Sequence, residues 1–305
     1  MSRWNRKKHE STSVKFTQWA SPDNLHFYPS AKAKKALPPG VYHAEEDSEA
    51  HGRFLVRENP AEGDALIRFS GSEADWILNE ITKFWSSEEE FKNFHIAYKR
   101  GILLHGRPGT GKSSLCRLVL NDVIKRGGIA VRFNGVPTYL MSWSLKVVHE
   151  IQPASPVVVL IEDIEDVLSS DADDESEVLN IIDGLDSVEK VLFLATTNDL
   201  SSLPDRIKNR PSRFDYLIEV KPLSEKNRRE YVKFLFRKNG GCSETLLKRW
   251  IGDTADFTVA HLKELFIGVY VFKHEYGAAL QRVKNMGTNY SVGFGMARRE
   301  RDKDE

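Results

Sequence analysis

The rhythm of apolar and polar positions changes along the chain, and each change predicts a different kind of element. Residues 1–35, with MSRWNRKKHE and AKAKK, are polar and basic and keep no period, which predicts a flexible arm. From 36 to 75 the short alternating runs LPPGVYH, GRFLVRE and ALIRFSG are separated by Gly, Pro and acidic residues, the pattern of a small β-rich element. SEADWILNEITKFWSS follows, with Ser72 placed as an N-cap and Trp76, Ile77, Ile81 and Phe84 near helical spacing. Through residue 222, unbroken apolar runs (GILLH, IAVRFN, VVVLIED, KVLFLATTN, YLIEV) then alternate with helical stretches. That is the signature of a parallel sheet covered on both faces, here spanning 76–222. After Pro222 the strand pattern stops. Four helical stretches fill 223–290 as a small helical domain, and 291–305 ends in the charged tail ARRERDKDE.

Composition narrows the picture. The chain has 305 residues, 40% of them hydrophobic, as in an ordinary globular protein. Its 44 basic and 44 acidic residues cancel, so net charge gives no signal for binding a polyanion. Two cysteines, Cys116 and Cys242, cannot build a disulfide framework, which suits a reducing compartment. No apolar run approaches the ~18–20 residues of a membrane helix. No apolar core of a signal peptide follows the basic start. The expectation is a cytoplasmic protein with no membrane partner.

The stretch LLHGRPGTGKSS carries the first chemistry. Gly106, Gly109, Gly111, Lys112 and Ser113 fit G-x-x-x-x-G-K-[ST] between a strand and a helix, the setting in which that pattern binds phosphate. Glycines let backbone N–H groups curl around phosphate oxygens, and the helix N-terminus adds positive potential. Lys112 would face the β- and γ-phosphates and Ser113 would offer its hydroxyl to Mg²⁺. Pro108, Thr110 and Ser114 complete the loop. Hydrolysis further needs a carboxylate for the metal and a group that orients water. Glu162 and Asp163, at the carboxyl end of VVVLI, are placed for this, Glu162 on the Mg²⁺ side and Asp163 activating water. The usual order of the pair is Asp then Glu, so a register with Asp163 on the metal stays open. Glu165 and Asp166 read as a solvated acidic helix start. Asn198, ending LATTN, would lie beside the loop if its strand neighbours GILLH, and there its amide could hold the attacking water. Arg210 and Arg213, in DRIKNRPSRFD, either match the phosphates of a neighbouring subunit's nucleotide or pair on the surface with Asp205 or Asp215.

In this order and spacing, GRPGTGKSS, VVVLIEDIED, ATTN and RPSRFD resemble the AAA clade of the AAA+ ATPases, over about residues 84–286. The resemblance implies an α/β P-loop NTPase sheet with a C-terminal helical lid, here preceded by a small N-terminal extension. It also implies ATP and Mg²⁺ as cofactors, a homo-oligomeric ring of six or seven subunits, and arginine fingers from the neighbour. Within the clade, FWSSEEEFKNFHIAYKRGILLHG, GKSS, the reversed acidic pair and LNIIDGLDS look like the mitochondrial translocase type that moves the folded Rieske protein, without that type's membrane helix or N-domain being evident. Many members read nucleotide state through a Gly-Ala pair in the lid. Here Val259 precedes Ala260, which puts that contact in doubt. The family's pore aromatic would be Trp143, between two serines that suit an exposed loop tip, or Tyr139; alternatively both pack under the sheet. The acidic DADDESE stretch reads as a solvated loop or a second pore lining. The resulting expectation is an ATP-driven machine that remodels or translocates a macromolecule, with protein as substrate or adaptor. A DNA-handling loader that contacts nucleic acid, and an ATP-dependent assembly switch with slow hydrolysis, stand as alternatives.

Overall fold

The five apolar runs of residues 101–222 become five neighbouring parallel strands. The computed structural model describes residues 18–20, 28–30, 35–47, 52–58, 65–133, 137–168, 172–183, 189–208, 210, 212–238 and 240–286. The chain forms two compact units, Met1–Pro38 and Pro39–Glu305. In the first, β1 (Gln18–Ala20) pairs antiparallel with β2 (Tyr28–Ser30). The remainder of the expected arm up to residue 34, and the charged tail 291–305, lie outside the described residues.

The second unit runs β3 (Gly40–Asp47), β4 (Gly52–Arg57), α1 (Glu73–Ser86), α2 (Glu88–Asn93), β5 (Lys99–His105), α3 (Lys112–Lys125), β6 (Ile129–Arg132), α4 (Thr138–Ile151), β7 (Val157–Ile161), α5 (Ile164–Leu168), α6 (Ala172–Asp183), β8 (Val191–Thr197), α7 (Asp205–Lys208), β9 (Tyr216–Glu219), α8 (Glu225–Phe236), α9 (Glu244–Asp253), α10 (Val259–Phe266) and α11 (276–286). Its sheet has the order β4-β3-β6-β7-β8-β5-β9, parallel except for the β3–β4 hairpin. From β5 the chain crosses to β6, returns through β7 and β8, and then passes to β9 on the far side of β5. Such a reversal opens a crevice at the carboxyl ends of the strands, here beside β5 and β8.

Burial explains the helices. Ser72 caps α1 by accepting the Asp75 N–H, and Ile77, Leu78, Ile81 and Phe84 form its inner stripe. These pack with Leu115, Cys116, Val119, Leu120 and Val123 of α3 on one face of the sheet. Trp76 is turned outward and meets the Tyr216 ring edge-on at 5.2 Å. A second core, around the fully buried Trp250, joins α8, α9, α10 and α11 into the helical domain. After α10 the helix widens into π-turns over Ile267–Val271.

Two expectations change here. The small β-rich element does not stand apart: β3 pairs in parallel with β6, Val41 opposite Ala130, and extends the main sheet. Its alternation buries Tyr42 and Ala44, and its backbone satisfies the edge of β6. The run ALIRFSG forms no strand; Ile67 and Phe69 pack into the core of the helical domain. Second, most of the acidic DADDESE stretch opens α6 instead of forming a loop. The reason is the apolar half of that helix, where Val178, Leu179, Ile181 and Ile182 are buried, and the burial of Glu175 against Arg206.

Candidate functional site

The glycine-rich loop leaves β5 after His105 and enters α3 at Lys112, with Gly106, Gly109 and Gly111 all at positive φ. Gly109 shows why the composition matters. At φ 79° an L side chain is strained, and a Cβ there would lie 2.8 Å from the Ala260 Cβ and 2.9 Å from the Thr258 Oγ1. The loop borders a cleft of about 660 Å³ that also takes in residues 108–115, Asp163, Thr196 and Asn198. Residues 65–67, Phe69, residues 71–74, Leu223, Asn227 and Tyr231 also line it.

Lys112 is 7% exposed and its ammonium is fully engaged: it donates to the Gly106 carbonyl (2.7 Å), the Arg107 carbonyl (3.3 Å) and Asn198 Oδ1 (2.8 Å). Burial pulls its pKa down, against the opposing pull of the Asp163 and Glu165 charges. Asn198 follows β8, which pairs with β5 as the sequence required. Its Nδ2 donates to Asp163 Oδ1 at 3.1 Å, so one carboxamide spans the lysine and the carboxylate. Asp163 stands at φ 48°, with its N–H donated to Thr196 Oγ1 at 3.0 Å. Burial and then the charges of Glu165, Asp166 and Glu162 push its carboxyl above the usual range, although Lys112 opposes them. Glu162 is not among the residues lining the cleft, and its carboxylate is 3.5 Å from Arg132 Nη1; the Nε of that arginine is 3.5 Å from Glu58.

Glu165 corrects the sequence reading. It is no solvated helix start. Its Oε1 accepts the Asn198 backbone N–H at 3.3 Å, while Oε2 is buried with no hydrogen-bond partner among the described residues. The helical domain meets the loop directly beside Val259. The Ala260 N–H donates to the Gly109 carbonyl at 3.1 Å, and Thr258 and His261 close a capping box that starts α10 there. Thr196, Glu165 and Thr258 were missed by sequence reasoning. For Glu165 the available signal was a second carboxylate two residues after Asp163, at the start of a short helix.

The remaining candidates lie elsewhere. Arg213 is 6% exposed and grips Asp183 with both Nε (3.1 Å) and Nη2 (3.0 Å), while Nη1 donates to the Arg206 carbonyl. Arg210 is more open and reaches the same carboxylate at 3.3 Å. Neither borders the cleft, and their acidic partner is Asp183; Asp205 pairs with Lys208 and Asp215 with Arg100. Trp143 is not at a loop tip. It is half-buried within α4, because the apolar residues Leu140, Met141, Leu145 and Val148 continue that helix straight through it. Tyr139 is partly exposed on the same helix, its hydroxyl donating to Glu46 at 2.6 Å and its ring lying under Arg53. Residues 134–136, just before this helix, lie outside the described residues.

Residues 102–222, the span from β5 to just past β9, match the family profile described as ATPase family associated with various cellular activities (AAA). The chain carries an AAA ATPase domain. Similar proteins include the ATPase family gene 2 protein of Saccharomyces cerevisiae, 31% identical over 145 residues, covering 43% of this chain and 18% of that protein. Proteasome-activating nucleotidase 2 of Haloferax volcanii is 29% identical over 236 residues, covering 68% of this chain and 56% of that protein. The ATP-dependent zinc metalloprotease FtsH 2 of Salinibacter ruber is 27% identical over 243 residues, covering 72% and 35%. The chain thus spans less than two thirds of each relative's length. No helix among the described residues is long and apolar enough to cross a membrane.

Proposed function

We propose that this chain hydrolyses ATP within a homo-oligomeric ring and uses the energy to remodel or translocate a protein. The observation that carries the reading is the convergence of the glycine loop, Lys112, Asn198 and Asp163 on one cleft. That cleft suits a nucleoside triphosphate. Gly106, Gly109 and Gly111 stand at positive φ, a conformation that lets a loop turn its backbone N–H groups towards phosphate oxygens, and Ser113 and Ser114 line the cleft beside them. Ser113 in the cleft, with Glu162 at its margin, would hold Mg²⁺, which would supply positive charge against the phosphates. Lys112 orients the β- and γ-phosphates. Asp163 takes a proton from the attacking water, a role that its raised carboxyl pKa favours, and the Asn198 amide positions that water. The arginine segment lies away from its own cleft, which supports Arg210, with Arg213 behind it, serving a neighbour's nucleotide. The organisation read from the sequence stands with this proposal: a nucleotide-binding core over 76–222 and a lid over 223–290, the lid touching the phosphate loop through Ala260.

Protein as substrate is supported by relatives whose names tie ATP use to protein breakdown, a metalloprotease and a proteasome-activating nucleotidase. The reversed Glu162–Asp163 pair keeps the narrower likeness to the Rieske-protein translocase type within this proposal. The test is ATP turnover by purified protein as concentration is raised. Specific activity should climb as rings assemble, and sedimentation should show the assembly. A folded protein that releases no phosphate from ATP and Mg²⁺ at any concentration overturns the reading. Activity from a persistent monomer overturns the shared site.

A further inference from the structure

The hydrolytic cluster depends on where one exposed side chain points. Asn198 sits in the bend after β8, past the buried Thr196 and Thr197, where a carboxamide is free to rotate unless it is tied. Its side chain has a single orientation that satisfies both neighbours: Oδ1 accepts from the Lys112 ammonium, which can only donate, and Nδ2 donates to the Asp163 carboxylate. Those bonds require the backbone of the bend to hold its place. Within the bend, Glu165 supplies the tie to the acidic segment, accepting the Asn198 N–H from the first turn of α5. The other Glu165 oxygen is buried without a hydrogen bond among the described residues, an arrangement that costs stability and so calls for an explanation beyond packing.

We infer that Glu165 is a positioning residue for the hydrolysis proposed above. It fixes the bend that carries Asn198, so that the amide spans Lys112 and Asp163 in the geometry that water attack requires. Glu165 makes no contact with the reacting atoms. Its effect passes through Asn198. The inference rests on the proposed ATPase reading and predicts a change in turnover without a change in nucleotide binding.

Glu165→Ala, Glu165→Gln and the parent protein are compared in ATP turnover, in binding of ADP without metal, in thermal melting and in amide hydrogen exchange at Asn198. Glu165→Ala should lower kcat by roughly tenfold or more while KM stays within about twofold, because the lost interaction serves the transition state. Protection of the Asn198 amide should fall in the metal-free protein, with ADP affinity unchanged. Glu165→Gln keeps an acceptor oxygen and should recover most of both kcat and protection, which a role through charge alone would not allow. An active parent whose Glu165→Ala variant keeps its kcat, or keeps Asn198 protected, overturns the inference and leaves the ATPase reading intact. So does a Glu165→Gln variant that folds but is as slow as Glu165→Ala. A parent with no turnover fails at the earlier reading instead, and amide exchange still decides whether Glu165 holds the bend.

Discussion

Strand β5 carries opposite chemistry at its two ends. Its carboxyl end opens into the glycine loop, and there the carboxylate of Asp163 is crowded by burial and like charges until it binds its proton more tightly than an ordinary aspartate. Near its amino end, a side chain on Gly101 would run into the Arg213 carbonyl, so the arginine segment lies directly on the strand. Asp183 sits there. Burial raises its pKa too, but the hydrogen bonds of Arg213 and the charges of Arg213, Arg210 and Lys99 more than offset this and leave it lowered. Two aspartates are thus tuned in opposite directions, the more open Asp163 towards accepting a proton and the more covered Asp183 towards staying ionised. The surrounding charges, not depth, separate a group suited to chemistry from one suited to holding structure.

The comparison breaks most visibly at Asp163. Asp163→Asn should still bind ATP but hydrolyse it about 10²–10⁴-fold more slowly, the usual worth of a positioned general base. If instead Glu162→Gln stops turnover and Asp163→Asn does not, the two acids exchange roles, as steady-state phosphate release will show.

At the other end, the expected effect is on stability. Asp183→Ala leaves a nearly buried Arg213 without its bidentate partner and should cost about 3–5 kcal/mol in denaturant unfolding. Because the folded pKa of Asp183 is depressed, its contribution is complete above the unfolded carboxylate value near ~3.9 and is lost as pH falls below that towards the folded value. Acid titration of the melting temperature should therefore be shallower in Asp183→Asn than in the parent, and parallel curves would refute the assignment.

Lys112→Ala sharpens the site end. Removing one charged donor should weaken ATP binding by roughly 1.5–3 kcal/mol, about 10–100-fold, measurable by nucleotide titration. Arg210→Ala should change stability least, by under about 1 kcal/mol, since its pair with Asp183 is exposed on the arginine side. Its loss should still appear as slower turnover in assembled protein, and mixing with Lys112→Ala should restore activity if sites are shared between subunits. Equal activity of Arg210→Ala and parent at every concentration would remove that residue from the site.

Local signals carried the phosphate loop, the acidic strand end and Asn198, because each depends on a residue type at the end of an apolar run. Legibility failed where partners are distant in sequence. Glu165 looked like any acidic residue at a helix start until Asn198, 33 residues later, placed its amide against it. Asp183 carries no local mark as the arginines' anchor, and Asp205 and Asp215 lie nearer to them along the chain. Trp143 shows a different limit. Two flanking serines suggested exposure, yet Ser144 is fully buried and returns its hydroxyl to the Met141 carbonyl inside the helix.

The amino-acid sequence by itself determined the parallel sheet, the helical domain and the residues of the loop, because apolar period and glycine placement act over a few neighbouring positions. The tertiary structure alone decided that the early hairpin completes the sheet beside β6 and that Ile67 and Phe69 belong to the helical core. It also decided that Ala260 touches Gly109 and that Asp163 and Asp183 receive opposite surroundings. These outcomes depend on which charges and surfaces meet across the fold, and burial and electrostatic neighbours are properties of three-dimensional proximity that no local pattern encodes.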